Sequence, residues 1–77
     1  MFSHRIVFGI WARRNVIDYG GNLDLLNAVA DQVHADYEGQ CKAAERSGTP
    51  FMDFLKFLID NREAILEILR ILLPLFI

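Results

Sequence analysis

The sequence predicts an all-α fold: an antiparallel helical hairpin, about 22–46 and 50–73, with an N-terminal short helix or extended segment packed on it. The same reading expects a small bundle completed by oligomerisation. Three observations predict this. Apolar residues recur every three or four positions in both long segments. A single strong break, Ser47-Gly48-Thr49-Pro50, separates two stretches of nearly equal length. The last 27 positions, Phe51 to Ile77, hold 16 Ile, Leu or Phe residues, with no Gly and no Val. Two helices of equal length joined by a short connection pack antiparallel. All 77 residues form one domain, close to the size at which a lone core is only marginally stabilising.

The first segment, 1–20, contains Ile6-Val7-Phe8-Gly9-Ile10-Trp11, which has the β-branched and aromatic content of a strand. A strand would lack a partner in a helical chain, so helix is preferred. In that reading Ser3 caps it, Ile6, Ile10 and Ile17 share its inner face, and Gly20 stops it.

The middle segment, 22–46, is an acidic amphipathic helix. Asn22 is its N-cap and Asp24 sits favourably in the first turn. Leu26, Ala30, Val33, Tyr37, Cys41 and Ala44 make one narrow stripe of mostly small side chains. Gly39 lies inside it at a cost of about 1 kcal/mol relative to Ala. Glu38 and Lys42, four apart, offset part of that.

At the break, Gly48 suits a left-handed helix stop, Thr49 an N-cap and Pro50 the first helical position. The last segment, 50–77, then places Phe51, Leu55, Leu58, Ile65, Leu69 and Leu72 on one face. Phe54, Phe57, Ile68 and Ile71 spread well beyond it. Asp60-Asn61-Arg62-Glu63 interrupts the apolar run, as a register-setting belt or as a kink with Asn61 capping a new helix. Pro74 ends or bends the helix near Leu73.

Charge and composition exclude several functions. The hydrophobic fraction of 53% argues against disorder. Arg5, Arg13 and Arg14 make the first segment basic, and five carboxylates make the middle one acidic. Nucleic acid is a disfavoured partner, because lysine is scarce and the basic patch is narrow. With one cysteine, no intrachain disulfide forms. Neither a secretory signal nor a transmembrane span is recognisable, and the chain is expected in the cytoplasm or within a macromolecular assembly.

Chemistry-bearing patterns are sparse. Asp31, His34 and Glu38 share one helix face and are the candidate metal ligands, but no second ligand set at bundle spacing completes them. Cys41 is two turns from His34, about 10 Å, too far for a nucleophile–base pair. No catalytic residue and no cofactor is expected. The favoured function is a non-enzymatic assembly protein that self-associates or docks into a larger complex. The interface would comprise Phe51, Phe54, Leu55, Leu58, Ile65, Ile68, Leu69, Leu72, Leu75, Phe76 and Ile77. A peripheral membrane protein is the alternative, contacting lipid or a partner through Phe8, Trp11, Arg13 and Arg14. A small metal-binding bundle is the second alternative.

Overall fold

The computed structural model describes residues 2–15 and 17–76. Among them the chain forms five α-helices: α1 (His4–Arg14), α2 (Leu23–Asp36), α3 (Glu38–Arg46), α4 (Pro50–Asp60) and α5 (Arg62–Leu72). A 3-10 turn, Leu73–Leu75, follows. The hairpin is present in two pieces, with α3 packed on α4 next to the connection and α2 packed on α5 beyond it. Helix α1 lies against α2 and α4.

Helix starts follow the local chemistry. Ser3 Oγ accepts from the Ile6 amide at 3.4 Å, and Asn22 Oδ1 accepts from the Leu25 amide at 3.1 Å. Pro50 opens α4, although the Thr49 side chain makes no capping bond. Gly20 and Gly21 take left-handed backbone, φ 63° and 71°, where a side chain would be strained. They form the turn that launches α2, with the Gly20 amide donating to Asp18 Oδ1.

Several expectations are corrected. The N-terminal helix stops at Arg14, not Gly20, because Asn15 closes it with its backbone and side-chain amides both on the Trp11 carbonyl. Its buried face is Val7, Phe8, Trp11 and Ala12, leaving Ile6 exposed. Gly48 is not left-handed. Instead Ser47 Oγ donates to the Ala44 carbonyl and accepts from the Thr49 amide, which stops α3 without a glycine cap.

Both long helices are bent at one residue. Tyr37 leaves helical backbone at φ −119°, ψ 36°, two residues before the weak helix former Gly39. Its ring packs edge-on to Phe57, with centroids 5.4 Å apart. Asn61 does break the last segment, but it does not cap α5. Its backbone and side-chain amides both donate to the Phe57 carbonyl, at 3.0 and 2.8 Å, closing α4 as Asn15 closes α1.

The core comprises Val7, Phe8, Trp11, Ala12 and Ile17 from the first segment, the predicted stripe of α2–α3 with Leu25 and Val29 added and Tyr37 only half-buried against it, and Phe54, Phe57, Leu58, Ile65 and Leu69. It therefore turns α4 toward Phe54, Phe57 and Leu58, leaving Phe51 outside. The accessible surface of 4969 Å² matches the roughly 4800 Å² of a folded monomer of this mass. One chain closes its own core.

Candidate functional site

Two regions stand apart from that core. The first is a polar cluster where α1, α2 and α3 meet. Ser3 fixes the start of α1, which puts His4 and Arg5 in its first turn, and α1 packs along α2 beside Asp31 and His34. Arg5 grips Asp31 with two nitrogens, Nε lying 2.9 Å from Oδ1 and Nη2 reaching Oδ2. His4 Nε2 shares Oδ1 at 2.9 Å. One turn along α2, His34 Nε2 meets Glu45 Oε1 of α3, also at 2.9 Å. The two imidazoles lie against each other with centroids 4.3 Å apart and planes 31° tilted.

Ionised carboxylates only accept hydrogen bonds, so each Nε2 carries the proton that faces its oxygen. The Arg5 guanidinium, helped by His4, holds the Asp31 carboxyl at about 2, well below the usual carboxylate range. His4, His34 and Glu45 can each offer one ligand atom within 4.8 Å of the others, and all three side chains are partly buried. This is the candidate metal-ligating group among the described residues.

The kink at Tyr37 builds this cluster. On a straight helix residues 34 and 45 would share a face but stand about 16 Å apart along the axis. Bending α3 at Tyr37 brings Glu45 back onto His34. Of the ligands read from spacing, His34 is in the group, and Asp31 touches it from outside through His4. Glu38 is not, being drawn to Lys42 Nζ at 2.6 Å on the exposed face, which lowers its pKa. His4 and Glu45 escaped sequence reasoning. His4 joins through a contact 27 residues long, and Glu45 through a bend that no periodicity encodes.

Cys41 is fully buried, and burial with Glu45 nearby pushes its thiol up to about 11, so it packs as a small apolar residue.

The second region is apolar. Phe51, Met52 and Ile59 are exposed on α4. With half-buried Leu55 they form a stripe on the outer side of the helix. Ile10, Trp11, Arg14, Asn15, Phe51, Leu55 and Ile59 line a groove of about 260 Å³ between α1 and α4. Trp11 Nε1 is buried without a hydrogen-bond partner among the described residues. A second groove between α2 and α5 is lined by Ile68, Ile71 and Leu72 with Gln32 and Asp36.

The residues read as an interface divide. Phe54, Leu58, Ile65 and Leu69 belong to the chain's own core; Phe51 and Leu75 are exposed; Leu55, Ile68, Leu72 and Phe76 are half-buried; Ile77 lies outside the described residues. The tail folds back, its Phe76 carbonyl accepting from Asn22 Nδ2 at 3.3 Å. Phe8 and Trp11 are core residues, while Arg13 and Arg14 are exposed. Among the described residues, no helix is long and apolar enough to cross a membrane. Comparison with family profiles, curated proteins and solved structures finds no match.

Proposed function

We propose that this chain is a non-enzymatic assembly protein whose outer α4 face pairs with a further copy of itself. One observation carries the reading: α4 is apolar on two sides. Its inner side, Phe54, Phe57 and Leu58, is used up in the core, yet Phe51, Met52 and Ile59 still face outward. Monomeric proteins seldom keep contiguous apolar patches without a use for them. The ridge of Phe51 and Ile59 borders the groove against Ile10, so one surface carries both a projection and a recess. A two-fold interface needs that self-complementarity.

The test is the mass in solution of Phe51→Glu and Ile59→Glu beside the parent chain. Both sites are exposed, so each variant should keep its helix content by circular dichroism and fall to a monomer. Equal masses for parent and variants would contradict the proposal. So would capture of the parent by phosphatidylcholine vesicles that is lost in Ile59→Glu, which would give the face to lipid.

A further inference from the structure

The cluster at the α1–α2–α3 junction does more than join helices. We propose that His4, His34 and Glu45 bind a divalent transition metal ion, zinc foremost. Two imidazoles and a carboxylate are a donor set that suits zinc and its neighbours in the first row, with a fourth position left to water.

The three ligands come from three helices, and their ligand atoms already lie within 4.8 Å of one another. Tetrahedral ligands about 2.0–2.1 Å from zinc stand about 3.3 Å apart. Closing that difference asks these partly buried side chains to rotate toward a common point. The surroundings fit too. A metal-bound histidine commonly donates its other ring N–H to a carboxylate, which fixes its orientation. Asp31 does this for His4, and Arg5 keeps Asp31 in place and ionised. His4 thus has one nitrogen engaged and the other left for a metal.

His34 and Glu45 share a proton at 2.9 Å. The metal takes that proton's position, and the proton leaves to solvent, as metal binding to such ligands requires. A set of plain ion pairs explains the two histidine–carboxylate contacts singly. It does not explain why the two pairs are stacked so that three donors from separate helices converge.

Titration of the metal-free chain with zinc(II), followed by calorimetry, tests the site, with cobalt(II) absorption reporting the geometry. The expected result is one saturable site per chain with the visible bands of tetrahedral cobalt. Glu45→Gln and His34→Gln should abolish it, and Asp31→Asn should weaken it about tenfold or more through His4. Circular dichroism of each variant confirms that it is folded. Glu45→Gln keeps the shape and a hydrogen bond to His34, so its loss of binding reports ligation and not collapse. Absence of saturable binding by the parent chain, or equal binding by folded Glu45→Gln, would overturn the proposal.

Discussion

The polar cluster and the outer face of α4 are built on opposite principles. At the cluster, Arg5, His4, Asp31, His34 and Glu45 each have a partner within hydrogen-bond range. On α4, Phe51, Met52 and Ile59 have none, and stay in water although the core is already closed. Burying a charge without a partner costs far more than exposing an apolar side chain, so charged groups must be satisfied within the chain. Apolar groups can be left for another molecule. The difference separates the two proposals: the satisfied cluster is where a small ligand is proposed, and the unpaired α4 face is where a second copy is proposed.

The comparison is sharpest within α4 itself. Phe54→Ala should destabilise the fold by about 3–5 kcal/mol, since a fully buried ring leaves a cavity. Phe51→Ala, one turn away, should cost about 1 kcal/mol or less, because Phe51 is already 43% exposed and leaves no closed cavity. Urea melts of the two variants measure this directly, and similar costs would mean that Phe51 belongs to the core.

The kink gives the next largest effect. Gly39 sits at the start of α3 with open space around it and no positive φ. Gly39→Ala should stabilise by about 0.4–1 kcal/mol, by restricting the unfolded chain and favouring helix. Thermal unfolding tests it, and destabilisation would show that the bend at Tyr37 needs the glycine.

The smallest effect is acid loss at Asp31. Its folded pKa, about 2, lies below the ordinary value of 3.8. It therefore contributes stability that is fully present above about pH 4 and is lost as pH falls through 2. The group is partly exposed, so the contribution is about 0.2–1 kcal/mol. Asp31→Asn should remove that part of the acid slope in urea melts between pH 4 and 2, and an unchanged slope would contradict it.

Much of the fold was legible because its punctuation is local. Asn22, Ser3 and Pro50 begin helices through chemistry that spans three residues or fewer. The α2–α3 stripe was legible because it follows one helical period even across the bend. What was not legible depends on neighbours distant in the chain. Phe51 and Phe54 fit a helix face equally well, and only the third partner, α1 with Phe2 edge-on to Phe54, decides which turns inward. One of the three candidate ligands, His34, was legible and two were not. His34 lies on a readable helix face, while His4 and Glu45 arrive through an inter-helix contact and a kink.

The most direct measurement for the central claim, that the outer α4 face is an interface between copies, is the native mass by light scattering without detergent. The account predicts a concentration-dependent mass above the 8.9 kDa of one chain. A particle that stays at 8.9 kDa throughout the micromolar range would contradict it.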